Sequence, residues 1–435
     1  MTATTMTADS FDIPHKKSYI KRVIMSCMIG NALEWYDFAL YGYFATTIGQ
    51  LFFPKFDPFA ALMATFGVFA AGVIMRPVGG IIFGHIGDKI GRKNALLWSI
   101  FLMAVPTTLL GLLPTYEQIG WLAPLLLTII RLAQGLSMGG EFTGSMILVV
   151  EHAEKGKRGV YGSWVIFSVL IGILLGSAIA TGICEFLSKD QLFAWGWRIP
   201  FLLSVVGGYV GYIMRQTIQE PKQFTQAKKE RKKHSTPVSE LFHNHWRKIF
   251  YIICMEFTLS IGFYLIVTFI PNFLTAILHI DMVTSLMMTT LSMIAMGIAI
   301  IISGKLSDKI GRKPLLLGST LAFVCCAYPL FQILEGSFMA ALMAQITLAM
   351  ILGVYFAPLP AALVEMFPVS VRYSGLSLSH GLSMAIFGSS APIIATALIE
   401  WTGNNASPAI YLSGACLISA LCLLSMKDKF KEDLQ

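Results

Sequence analysis

Long apolar runs, interrupted only by short clusters of charge, glycine and proline, occupy this chain from about residue 20 to residue 426. A helix that crosses a bilayer needs about 20 mostly apolar residues. The interruptions leave room for twelve: 20–50, 59–84, 95–113, 119–149, 160–184, 198–216, 248–276, 283–303, 314–334, 338–363, 374–400 and 407–426. Backbone polar groups in hydrocarbon must be paired inside the segment, which confines such runs to helices. Only 13% of the 435 residues are charged and 55% are apolar, whereas soluble domains carry about 25% charged residues. One or two water-soluble cores cannot hide so much apolar surface, so lipid must solvate much of it. Soluble enzymes, extracellular, disordered and nucleic-acid-binding proteins are excluded by the same arithmetic.

Basic residues set the orientation. With the N-terminus cytoplasmic, 27 of the 32 Lys and Arg fall in cytoplasmic segments. Lys55, Lys189 and Arg198 fall outside, and Arg76 and Arg131 lie within spans. The opposite topology inverts this bias. The net charge of +8 is therefore a topology signal, and it makes anionic lipid headgroups the expected partners of the basic loops. No removable leader is expected, because the first nineteen residues are polar and lack a signal-peptide pattern. Seven cysteines lie in apolar stretches without metal or disulfide spacing and read as small packing residues.

The expected units are a cytoplasmic tail (1–19), a six-helix bundle (20–216), a solvated basic linker (217–247), a second six-helix bundle (248–426) and a cytoplasmic tail (427–435). Two stretches recur at an offset of 220 residues: GHIGDKIGRKNALL from Gly84 and GKLSDKIGRKPLLL from Gly304. Each follows the second span of its half and opens the third. The chain is thus a duplicated six-helix unit, the construction of one large class of carriers.

G-x-x-x-D-x-x-G-R-[RK] between the second and third spans of each half resembles the signature of the major facilitator superfamily. GNALEWYDFALYGYFA (Gly30–Ala45), MRPVGG (Met75–Gly80), RLAQGLSMGGEFTG (Arg131–Gly144) and WGWRIPF (Trp195–Phe201) together resemble its metabolite:proton symporter family. GGEFTG followed by KRGVYGSW (Lys157–Trp164) is most similar to the proline/glycine-betaine branch. The resemblance implies an all-α membrane protein of twelve transmembrane helices in two pseudo-symmetric six-helix bundles. Some members of that branch carry a C-terminal coiled coil; this sequence reaches Gln435, so osmotic control through such a coil is not expected.

By resemblance, Asp88 and Arg92 latch the first bundle to the start of the eleventh span around Arg372 and Ser374. Asp308 and Arg312 do the same toward the fifth span around Arg158. Charge-assisted contacts that exist in one state and break in another make a gate; the alternative is that the basic residues only anchor topology. Glu34 and Asp37 share a helix face with Asn31, Tyr41 and Ala45. Counting from Ile20 at 1.5 Å per residue, Glu34 lies roughly 21 Å into the membrane. Two bare carboxylates there are costly unless protonated, paired or hydrated. A carboxyl that exchanges its proton for the guanidinium of Arg131 suits proton coupling; a purely structural ion pair is the other reading. The R-L-A-Q-G context of Arg131 resembles the superfamily's proton-coupling arginine motif. Glu141, about 15 Å closer to the cytoplasm, is either a second proton site or a cavity residue.

Arg76, before Pro77, either binds a substrate carboxylate or braces a kinked helix. Glu256 is an extra acid in the seventh span, facing a cationic or zwitterionic ligand or snorkelling toward the cytoplasm. Trp35, Tyr41, Tyr264, Tyr355 and Phe356 lie on spans with polar faces; rings there stabilise a quaternary or protonated amine by roughly 0.5 to 2 kcal/mol each, or simply pack.

No P-loop and no clustered nucleophile or metal-ligand set is present, so neither an ATP-driven pump nor an enzyme is expected, and no cofactor beyond the proton as coupling ion. The leading reading is a monomeric proton symporter of a small zwitterion in a bacterial inner membrane, both termini cytoplasmic. A symporter of an organic acid such as 2-oxoglutarate, citrate or shikimate is second, and a non-transporting sensor a distant third. Only Arg76 and Arg131 lie inside spans away from their ends, too few cations for a polycarboxylate.

Overall fold

The computed structural model describes residues 13–54, 58–230 and 237–434, and these are helical with no strand. Lys55 and His234 lie outside the described residues, as do residues 1–12 of the expected tail. Twelve long helices follow in order: α1 (Ile13–Tyr43), α2 (Met63–Lys89), α3 (Arg92–Leu112), α4 (Leu122–His152), α5 (Arg158–Phe186), α6 (Arg198–Gln216), α7 (Trp246–Met255, then Phe257–Thr275), α8 (Met282–Ile310), α9 (Lys313–Ile333), α10 (Phe338–Val364), α11 (Arg372–Thr402) and α12 (Ser407–Ser425).

Ten of these are long and apolar enough to span alone, and α6 joins them as a pair with Lys189–Gly196, bent by 42°. α1 has the length, at 31 residues, but Asn31, Glu34 and Asp37 hold its hydropathy down.

Within the first half α1 packs on α5 and α3 on α6; within the second α9 packs on α12 and α8 on α10. The halves meet where α2 packs on α11 and α5 on α8. Gly84 faces Ser374 and Gly304 faces Ser163 so closely that a Cβ there would collide. Those motif glycines allow the crossing helices to touch. Gly91 and Gly311, at φ 149° and 101°, make the turn into α3 and α9 in a region that side chains avoid. Trp98, Phe101, Ile294 and Ile298 are among the large side chains left exposed, as a lipid-facing exterior requires.

Discontinuities sit in the spans that carry polar residues. α2 is interrupted at Met75, before Arg76 and Pro77. α7 breaks at Glu256, and α7 and α11 each contain a π-helical turn, Tyr264–Phe269 and Ser383–Gly388. Such turns leave irregular backbone where a site can form.

Two expectations need correction. The linker is not simply solvated: it contains helices Lys222–Glu230 and Pro237–Asn244, with Phe224 and Leu241 buried. Not all cysteines pack internally, since Cys184, Cys325 and Cys326 are exposed.

Candidate functional site

Polar side chains gather at three depths, beginning where the loop motifs sit. Asp88 accepts backbone N–H bonds from Tyr373 (3.0 Å) and Ser374 (2.8 Å) at the start of α11. Arg92 reaches Asp88 at 3.0 Å and Glu151 at 3.2 Å, and Arg372 pairs with the same Glu151 at 2.6 Å. The second half repeats this. Asp308 accepts from Gly159 and Val160 N–H, both 2.8 Å, at the start of α5. Arg312 reaches Asp308 at 2.9 Å and Glu365 at 3.2 Å, and Arg158 meets Glu365 at 3.3 Å. Each aspartate therefore caps a helix of the opposite bundle, where a negative charge is favoured by the helix dipole. Burial pushes the Glu365 carboxyl above the usual carboxylate range, an effect that Arg312 and Arg158 partly offset.

All six expected gate residues are brought together here, and the motif end is shut. Glu151 and Glu365 were not foreseen. They close α4 and α10 at equivalent places, the signal that could have found them.

The linker and tail reinforce the same end. Glu220 accepts from the N–H groups of Arg92 (2.9 Å) and Lys93 (3.0 Å), and Phe224 lies 4.5 Å from the Arg92 guanidinium. In the other half Asp428 accepts from Lys313 N–H at 2.9 Å and Phe430 lies 5.9 Å from the Arg312 guanidinium. Burial raises the Glu220 carboxyl above its usual range.

Midway along the first bundle, Arg131 pairs with Asp37 at 2.9 Å. Gln134 donates to Asp37 at 2.9 Å and to Thr107 at 2.8 Å, and accepts from Arg131 at 2.7 Å. The Arg131 guanidinium lies 4.3 Å from the Tyr41 ring, whose hydroxyl donates to the Thr65 carbonyl at 3.1 Å. Tyr41 thus belongs to this ion pair. Asn31 leaves the shared face, donating to Val165 O and Ser168 Oγ of α5.

Glu34 stands apart from that pair. It is buried, and its Oε2 has no hydrogen-bond partner. Arg76 is buried with Nε unpartnered; its Nη2 meets the Met138 sulfur at 3.6 Å, and its guanidinium lies 5.7 and 5.6 Å from the Trp35 and Phe38 ring centroids. The buried Tyr264 hydroxyl is also unpartnered and within electrostatic reach of both. Trp35 from the first bundle meets Phe263 from the second at 5.2 Å. Phe263, Phe356 and Phe142 continue as a chain of rings, 6.2 and 6.4 Å apart.

Three remaining residues are elsewhere. Glu141 is held by both Arg215 guanidinium nitrogens, with Ser99 and Ser145 donating to it. It is a satisfied ion pair; Arg215, near the end of α6, gave no sign of reaching inward. Tyr355 donates to the Met255 carbonyl beside the α7 break, where it ties α10 to α7 and leaves no hydroxyl for a ligand. Glu256 is buried against His380 of α11, Oε1 to Nδ1 3.1 Å. It does not snorkel toward the cytoplasm.

Family models agree with this layout: the Sugar (and other) transporter family matches residues 23–236 and the Major Facilitator Superfamily residues 252–434. The chain is 32% identical to the glycine betaine/proline/ectoine/pipecolic acid transporter of Dickeya dadantii, over 96% of this chain and 85% of that one. It is 36% identical to the citrate-proton symporter of Klebsiella pneumoniae, over 92% and 91% of the two. The solved proton:xylose symporter bound to 6-bromo-6-deoxy-D-glucose superposes with a TM-score of 0.82 at 16% identity, covering 95% of this chain and 97% of that one. The two family-model matches and relatives at 32 and 36% identity over most of both chains place the chain in the major facilitator superfamily, as a transporter beside the proline/betaine transporters, and not among enzymes.

Proposed function

We propose that the protein imports a small zwitterion, of the proline or betaine kind, together with a proton by alternating access. One observation carries the reading: Glu34, Arg76 and Tyr264 each bury an unpartnered polar atom, and the Arg76 guanidinium lies against the Trp35 ring. A buried carboxylate and a buried guanidinium, both unsatisfied, want a ligand that brings both charges. The ammonium end is stabilised by Glu34 and the face of Trp35, and the carboxylate by Arg76 and Tyr264. Asp37 and Arg131 are already paired with each other, and we assign them to the proton. Protonation of Asp37 releases Arg131 and neutralises the carboxyl, which changes what the bundle interior can hold as it turns. In the proposed membrane frame the motif end faces the cytoplasm of a bacterial inner membrane. Tyr19, Gln219 and Asp433 all lie at that end, so both termini belong there. The carrier acts as a monomer, with anionic headgroups on its basic loops.

An organic acid is the second reading, favoured by the similarity to the citrate-proton symporter. Against it, Arg76 is the unpaired cation of the central set, with Glu34 beside it repelling further carboxylates. Counterflow in proteoliposomes decides between them. Labelled glycine betaine and proline should exchange while 2-oxoglutarate and citrate do not; the reverse pattern overturns the zwitterion.

A further inference from the structure

The Glu256–His380 dyad plays no part in the coupling or substrate scheme, yet it is built at a seam where the bundles meet, between α4 and α11. Glu256 sits at the α7 break with Oε2 unpartnered, and His380 Nδ1 lies 3.1 Å from its Oε1. Both residues are buried. The imidazole is covered by Phe142 of the opposite bundle, ring centroids 4.9 Å apart. Flanking contacts seal the seam: Thr143 and Ser377 hydroxyls at 2.6 Å, and Tyr373 donating to the Gly140 carbonyl at 2.8 Å. All of these join α4 to α11, so opening the motif end takes Phe142 off His380 and admits water.

A sealed carboxylate with a neutral imidazole leaves an uncompensated charge in the interior. One added proton makes the pair neutral, as imidazolium beside carboxylate or as two uncharged groups. We propose that Glu256 and His380 form a second proton-binding site, reached from the cytoplasm, which must hold one proton for the cytoplasmic side to close. On opening, the imidazolium Nδ1–H passes its proton to cytoplasmic water; on closing, a proton is taken back from the same side. The site carries no net charge across the membrane. It makes the return of the carrier depend on internal pH, and it rests on the proposed orientation but on no particular substrate.

Other titratable groups lie around the dyad: Tyr355 on α10 is within electrostatic reach of Glu256, and Tyr251 on α7 and Cys416 and Cys422 on α12 are within reach of Tyr355; the Glu141–Arg215 pair lies on α4 and α6. Glu141 and Arg215 neutralise each other, and the tyrosines and thiols stay uncharged below pH 8.

The test needs no transport. Spin labels at Lys89→Cys and Lys309→Cys, on opposite bundles at the motif end, report opening as a distance in a cysteine-free background in nanodiscs. With Glu34→Gln and Asp37→Asn removing the acids of the substrate and coupling set, the open-to-closed ratio should rise between pH 6 and 8.5, by up to about tenfold per pH unit for one linked proton. Adding His380→Gln or Glu256→Gln should make the ratio flat. A ratio that is flat with the dyad intact overturns the proposal, as does a pH slope that survives either substitution. Should both dyad variants fail to fold, the slope with the native dyad decides alone. Failure of zwitterion counterflow with this slope intact would remove the substrate reading and leave the proton site standing.

Discussion

Glu151 holds Arg92 of its own bundle and Arg372 of the other, at 3.2 and 2.6 Å. Glu365 holds Arg312 and Arg158 in the mirrored arrangement, at 3.2 and 3.3 Å. Each carboxylate is therefore shared between a residue that moves with it and one that moves away. That is the relationship a latch needs, because opening leaves one arginine paired and frees the other.

Asp88→Asn and Asp308→Asn should both open the motif end without touching the substrate set. Losing one charge-assisted contact of about 1.5 to 3 kcal/mol shifts the equilibrium roughly 10- to 150-fold. Cysteines placed on the motif-side cavity wall should label faster, and those on the other side more slowly. Altered substrate affinity with unchanged labelling would show that the loops are anchors.

Arg76→Gln and Glu34→Gln should each weaken substrate binding at least tenfold, since each removes one half of the charge complement. The effect should appear in the exchange KM, with protein abundance and monodispersity retained. An unchanged KM for both variants would place the substrate elsewhere.

Asp37→Asn should abolish uphill accumulation while exchange continues, because exchange does not require the empty carrier to return. Gln134→Ala should act in the same direction more weakly, having lost the hydrogen bonds that Gln134 makes to Asp37 and Arg131. Accumulation by the Asp37→Asn protein at the wild-type level would remove this residue from coupling.

The linker and tail are expected to act as paired clamps on the gate. Glu220→Ala deprives the start of α3 of two capping bonds, a loss of about 1 to 2 kcal/mol. Asp428→Ala should do the same for α9. Both should lower the melting temperature and raise motif-side labelling; an unchanged melting temperature would mean the clamps are incidental.

The sequence carried the repeat, the spans and the gate motifs because each depends on local spacing: apolar runs, and G-x-x-x-D turning into G-R-K. It carried Glu34, Asp37 and Arg131 as well, because ionisable residues in hydrocarbon are conspicuous. Partners joined only by tertiary packing stayed hidden. Gln134 and Thr107 look like ordinary polar helix residues, Arg215 reads as a positive-inside charge at a span end, and His380 stands in a serine-rich stretch with nothing nearby to mark it. The shared face of α1 was also split by packing, which sent Asn31 to α5 and Tyr41 to Arg131.

Proton-driven accumulation tests the account most directly. In sealed proteoliposomes with an inward pH gradient, the labelled zwitterion that counterflow accepts should concentrate inside, and a protonophore should collapse it to equilibrium. Equal uptake with and without the protonophore would contradict proton symport, and with it the role assigned to Asp37 and Arg131.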